Sequence, residues 1–160
     1  MVHIDQHLKW CLNDENRLKK VRPNISLALA HIKKSEYNKG VMDILEKAEK
    51  YDWALNVGFY SIYHCFLAII AKYGYESRNQ SCTITAILKL IEEKKMDFDK
   101  DLVMQFDTLD VDKEATNPTI RENREISTYG VKTEVNTEQF DKVKDLVIKI
   151  QRETIRIINE

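Results

Sequence analysis

Apolar positions along this chain gather into a few long runs, and one of them is unlike the rest. Between Trp53 and Ala71 nearly every residue is apolar or aromatic, interrupted only by Asn56, Gly58, Ser61 and His64. A helix that is hydrophobic all round is either the centre of a helical protein or a membrane span. Its length permits a span. Polar side chains on more than one face argue the other way, because lipid offers them no partners. The stretch is expected to be the buried axis of a helical protein. It should start after Asp52 as N-cap and stop at Gly74, which tolerates the left-handed position past a helix end.

The flanking segments are amphipathic and suited to wrap that axis. Residues 3–21 predict a first helix, with Ile4, Leu8, Cys11, Leu18 and Val21 near one face. Arg22-Pro23 ends it, since the residue before proline is pushed out of the α region. Asn24 or Ser26 then caps a second helix running to about Lys50. Its predicted buried stripe is Tyr37, Val41, Ile44, Leu45 and Ala48. Gly40 within it is read as a point of close packing, and His31, Ser35 and Asn38 as a polar edge. With almost no connection to the central helix, the two are expected to form an antiparallel hairpin.

After Gly74 come a polar loop over 75–80, a helix over Thr83–Glu93, and another starting at Asp97 or Asp99. Residues 110–118 are polar and irregular, with Asn117-Pro118 as a break. The last helix is the clearest, capped by Asn136 or Thr137. Its stripe is Phe140, Val143, Leu146, Val147, Ile150, Ile157 and Ile158, interrupted by Thr154.

Composition narrows the picture further. The 160 residues suit one domain with a substantial core. Four glycines and two prolines leave little material for many turns, so an all-α fold is expected. A formal net charge of −1 provides no global basic field for nucleic acid. Cys11, Cys65 and Cys82 are an odd number without CxxC spacing, so neither a disulfide framework nor a zinc site is expected. His3 and His7 stand at i, i+4 with no third ligand evident, and no metal or cofactor is expected. Residues 1–20 lack the apolar core of a secretory signal, which leads to the expectation of a cytoplasmic protein.

Several stretches in order carry a family resemblance. They are Tyr51-Asp52-Trp53-Ala54, Tyr60-Ser61-Ile62-Tyr63-His64, Lys72 to Ser77, Ser81-Cys82-Thr83-Ile84, and Arg124 to Gly130. Over residues 24–159 the chain resembles the HEPN family of small prokaryotic helical proteins. That resemblance implies an up-and-down bundle of four to five long helices that pairs into a homodimer. Residues 1–22 would be an N-terminal extension helix to this single domain. Many such proteins work beside minimal nucleotidyltransferases in toxin–antitoxin-like or defence settings, and several cleave RNA. In those nucleases an arginine and a following histidine face the dimer cleft. Arg124 matches the arginine, Tyr129 stands at the histidine's place, and no histidine follows His64.

The chemistry of these side chains sorts the functional readings. Arg124 can fork onto a phosphate, and Arg121, one turn earlier on a helix, would join it. Asn123 could orient a phosphate or base edge. Tyrosine is protonated at neutral pH and a poor base, though it can donate a proton. Arg121, Asn123 and Arg124 are therefore candidates for binding nucleotide or RNA phosphate, and Arg124 with Tyr129 for catalysis. One expectation is a dimeric protein that binds RNA or nucleotide, or partners a nucleotidyltransferase for which Tyr129 is a contact or target. A second is a metal-independent endoribonuclease using Arg-x4-Tyr. A third is a non-catalytic dimeric interaction module. His64 is read as a core histidine. The aromatic set Trp53, Phe59, Tyr60, Tyr63 and Phe66 is likewise read as core.

Overall fold

The computed structural model describes residues 4–106 and 134–160. Among these the chain is mostly helical: α1 (Ile4–Leu12), α2 (Ile25–Lys47), α3 (Tyr51–Lys72), α4 (Gln80–Glu92), α5 (Lys100–Phe106) and α6 (Thr137–Ile158). Two three-residue strands, β1 (Leu18–Lys20) and β2 (Tyr75–Ser77), complete it. The all-α expectation holds for these residues, apart from that small ribbon.

Local chemistry explains most helix ends. Asn24, Asn79 and Asn136 each accept a bond from a first-turn backbone N–H through the side chain, satisfying a donor the helix cannot. The central helix begins two residues earlier than expected. Asp52 lies in its first turn, and Lys50 occupies the cap without a side-chain bond. Asp52 is still favourable there, facing the positive end of the helix dipole.

Between α2 and α3 the chain reverses within three residues. Lys50 N–H bonds to Leu45 O and Glu49 N–H to Glu46 O, with Glu49 left-handed at φ 59°. That is a Schellman closure. It lays α3 antiparallel against α2.

Small residues line much of the seam between those two helices: Ser35 meets Ser61 and Cys65, Ala28 packs with Ala68 and Ala71, and Gly58 lies against Met42. A Cβ at Gly58 would stand 3.1 Å from the Met42 sulfur, so this glycine makes room for the Met42 side chain of α2. Gly40, expected to be the close-packing position, has open space around it. The predicted stripe of α2 is corrected in the same way. Tyr37 and Ile44 are 65% and 67% exposed, and the buried residues are Ala28, Ile32, Ser35, Asn38 and Met42. A neighbour that is apolar on every side lets α2 present its smallest face, whatever its hydropathy.

The other side of α3 carries the large core. Phe106 of α5 stacks on Phe59 at 4.9 Å and meets Phe66 edge-on at 5.1 Å. Ile62, Ile69, Ile84, Ile87, Phe140 and Ile150 fill the space around them. The stripe of α6 is buried as expected, including Thr154. Among the described residues α3 alone is long and apolar enough to cross a membrane, and 67% of its most apolar window is covered by the other elements.

The N-terminal region departs most from expectation. The helix predicted over 3–21 stops at Leu12. Asn16 N–H bonds to the Asp14 carboxylate and Arg17 N–H to Asp14 O, because short polar side chains compete for the backbone. Leu18, Lys19 and Lys20 then pair antiparallel with Ser77, Glu76 and Tyr75. The segment expected as a plain polar loop over 75–80 thus contains a strand. Gly74 (φ 89°) bonds through its carbonyl to Val21 N–H, and a Cβ there would lie 2.7 Å from Val21 O. Only glycine fits.

Candidate functional site

The α2–α3 seam contains a buried polar network. Ser35 Oγ donates to Ser61 O at 2.7 Å, and Ser61 Oγ donates to Ser35 O at 2.9 Å. Gln151 of α6 donates to both hydroxyls, at 3.0 and 3.2 Å. Cys65 Sγ lies 3.2 Å from Ser35 Oγ. Burial pushes that thiol up to about 11, despite the Ser35 and Thr154 hydroxyls. Cys65 is an inert packing group, as expected for a free cysteine in this helix. Each hydroxyl satisfies the helix facing it, so small size does not leave buried polar atoms without partners.

One turn along, the seam opens to solvent at two histidines. Nδ1 of His31 lies 3.0 Å from Nδ1 of His64, with the rings tilted at 33° and both half-buried. Burial lowers the pKa of His31. It also lowers His64, to about 4, with further depression from the neighbouring His31 and Lys34 charges. Both rings are therefore neutral at physiological pH, and one proton lies between the two Nδ1 atoms. A neutral imidazole carries its proton on one nitrogen only. The ring that donates from Nδ1 has a bare Nε2, and the ring that accepts has a protonated Nε2. The couple thus offers a base and an acid at its outer nitrogens.

This corrects two expectations. His31, Ser35 and Asn38 are not a polar edge of α2, since Ser35 and Asn38 are buried in the seam. His64 is not a fully enclosed core histidine. The spacing of His31, Ser35 and Asn38, matched by Ser61, His64 and Cys65 on the next helix, was the available signal.

The aromatic set divides. Phe59 and Phe66 are core, whereas Trp53 and Tyr60 are 53% and 41% exposed. Trp53, Val57, Tyr60 and His64 fall on one side of α3 by helical spacing. Tyr63 is half-buried against Thr83, and burial raises its pKa. Arg121, Asn123, Arg124 and Tyr129, the sequence-derived site residues, lie outside the described residues, as does His3.

A second cluster joins α1 to α4. Cys11 and Cys82 form a disulfide across 71 residues of sequence, with Cα atoms 5.7 Å apart. This overturns the expectation that no disulfide would form; partners so distant in sequence are visible only once α1 docks on α4. His7 sits beside them, Nε2 3.2 Å from Ser81 Oγ, its ring stacked on Trp10 at 5.4 Å. Asp5 reaches Lys89 at 2.6 Å across the same contact.

No family model matches the chain, and no curated protein matches it.

Proposed function

We propose that this is a HEPN-like protein with an up-and-down helical arrangement that acts as a homodimer and binds single-stranded RNA or nucleotide phosphate. The observation that carries this reading is the His31–His64 couple, half-buried beside Lys34 where the α2–α3 seam opens. Trp53 lies on the same side of α3, roughly 16 Å away along the helix. A cation, hydrogen-bonding imidazoles and an exposed indole are what a single strand needs for its phosphate and its bases. Arg121, Asn123 and Arg124 would add phosphate contacts, and Tyr129 a contact for RNA or for a nucleotidyltransferase partner.

The homodimer has its own support. Leu29, Tyr37 and Ile44 are exposed on the outer face of α2, away from the seam. Such a stripe has the spacing of a buried face and is uncovered by the described residues of this chain, as expected of an interface.

A second reading, metal-independent RNA cleavage, is favoured by the neutral state of both histidines. A bare Nε2 can take the 2′-hydroxyl proton while the other ring's Nε2–H protonates the leaving oxygen. A cytoplasmic role in defence or toxin–antitoxin control would suit either activity.

Fluorescence anisotropy with a labelled single-stranded RNA, run in EDTA beside a denaturing gel, separates these readings. Wild type should bind, and Lys34→Glu and Trp53→Ala should each weaken binding about tenfold or more. Cleavage that disappears in both His64→Ala and Arg124→Ala would promote the nuclease reading. Binding unchanged in Lys34→Glu and Trp53→Ala would remove the site from the open seam.

A further inference from the structure

The α1–α4 contact holds more chemistry than a structural crosslink requires. One ring nitrogen of His7 and the sulfurs of Cys11 and Cys82 all lie within 4.8 Å of one another. Both sulfurs are fully buried, and the imidazole is half-buried above them. Its place is set twice, by the Ser81 hydroxyl and by the stacked Trp10 ring. Trp10 is itself covered by the Arg17 guanidinium, 3.7 Å from the ring centroid. Ser81 in turn donates to the Asn79 side chain, which caps α4. A half-exposed histidine on a short terminal helix is seldom held by so many partners.

We infer that, when the Cys11–Cys82 bond is reduced, the two thiolates and His7 bind a zinc ion. Two sulfurs and one imidazole nitrogen are a donor set that zinc takes as three protein ligands, leaving a fourth position for water or a hydroxyl. Zinc–sulfur bonds of about 2.3 Å and zinc–nitrogen bonds of about 2.0–2.1 Å, in tetrahedral geometry, place the donor atoms roughly 3.5–3.8 Å apart. The donor atoms, all within 4.8 Å of one another, need shift by only about 1–2 Å to reach that spacing once the sulfur–sulfur bond is open. A Cα separation of 5.7 Å lets the sulfurs part by side-chain rotation alone, without moving either helix. Ser81, next to Cys82 and 3.2 Å from His7, offers a hydroxyl for the fourth position.

Disulfide and zinc are then alternative closures of one contact. Reduction by a dithiol breaks the sulfur–sulfur bond, delivers two electrons and two protons to Cys11 and Cys82, and leaves the dithiol as its own disulfide. Zinc binding displaces the two thiol protons. In an oxidising compartment the N-terminal segment is fastened covalently; in a reducing one, where free disulfides do not persist, zinc fastens it. Neither cysteine is exposed, so the pair is not arranged as an oxidoreductase would need.

The test uses the full chain reduced with a phosphine, which does not compete for the metal, and titrated with Co²⁺ and then Zn²⁺. Reduced protein should take one equivalent of Co²⁺, with the intense visible absorption of a tetrahedral thiolate site. Zinc should displace it with a Kd below about 1 μM. Oxidised protein should take none. His7→Ala, which touches no buried sulfur bond, should keep its helical circular dichroism and bind at least tenfold more weakly; Cys82→Ser should lose the thiolate absorption. Failure of the reduced chain to bind, equal binding by the oxidised chain, or His7→Ala binding like wild type would each overturn the proposal.

Discussion

The α2–α3 seam and the α1–α4 contact solve the same problem, joining two helices, by opposite means. In the seam, two helices of more than twenty residues meet over their whole length through alanine, serine and glycine. Close approach supplies dispersion contacts along every turn, and the polar groups are satisfied by one another. In α1, nine residues bury Cys11 alone, with Ile4 and Leu8 only partly covered. So short a helix is marginal without tertiary help, and a covalent bond makes up the difference. Extended complementary packing needs no staple, whereas a short amphipathic segment does.

The largest effect that would break this contrast is loss of the staple. Closing a loop across 71 residues removes about 4 kcal/mol of unfolded-state entropy in the chain-entropy treatment. Urea unfolding of the oxidised chain, compared with Cys11→Ser/Cys82→Ser in a metal chelator, should show a loss of that order. Equal midpoints would mean that α1 docks on α4 by packing alone.

Next comes the seam itself. Gly58→Val places a branched side chain against buried Met42, already 3.1 Å from a hypothetical Cβ, and should cost about 2–3 kcal/mol. Gly40→Ala, on the same hairpin in open space, should stabilise by about 0.5–1 kcal/mol. Thermal midpoints moving in opposite directions would locate the close approach at Gly58. A shift of the same sign in both would contradict it.

The effect that depends on solution conditions concerns pH at the seam's open end. Folded His64 titrates near 4, below its usual 6.5, and His31 is lowered too. The unfolded chain therefore binds more protons in this window, and stability rises with pH. The contribution is complete above about pH 6.5 and is lost as pH falls towards 4. Solvent at the open edge screens the shift, leaving roughly 1–2 kcal/mol. Chemical denaturation at about pH 7 and pH 4.5 should show a steeper loss in wild type than in His64→Gln. Identical slopes would separate the histidines from folding stability.

Several features were legible in the sequence because their causes are local. Asn24 and Asn136 cap helices through their own side chains, and Gly74 sits where a left-handed turn is required. The alternation of Phe140 to Ile158 marks a face whatever it packs against. The buried face of α2 was less legible. Tyr37 and Ile44 looked like core by hydropathy, yet Ser35 and Asn38 are inside because size and mutual hydrogen bonding govern a close helix seam. The three-residue strands carry too few residues for a periodic signal. The candidates Arg121, Asn123, Arg124 and Tyr129 fall outside the described residues, and the histidine couple and the seam network are made of other side chains.

By itself the sequence determined which stretches form the long helices α2, α3 and α6, that α3 is the most apolar of them, and that Cys65 is buried. These follow from properties a residue carries with it: capping geometry, backbone freedom, apolar periodicity. The tertiary structure alone decided that His31 faces His64, that Ser35 and Ser61 bridge their helices, and that His7, Cys11 and Cys82 converge. Those are pairings between residues 26 to 75 positions apart. Their energy exists only after the chain has folded back, and no single residue in either partner announces the other.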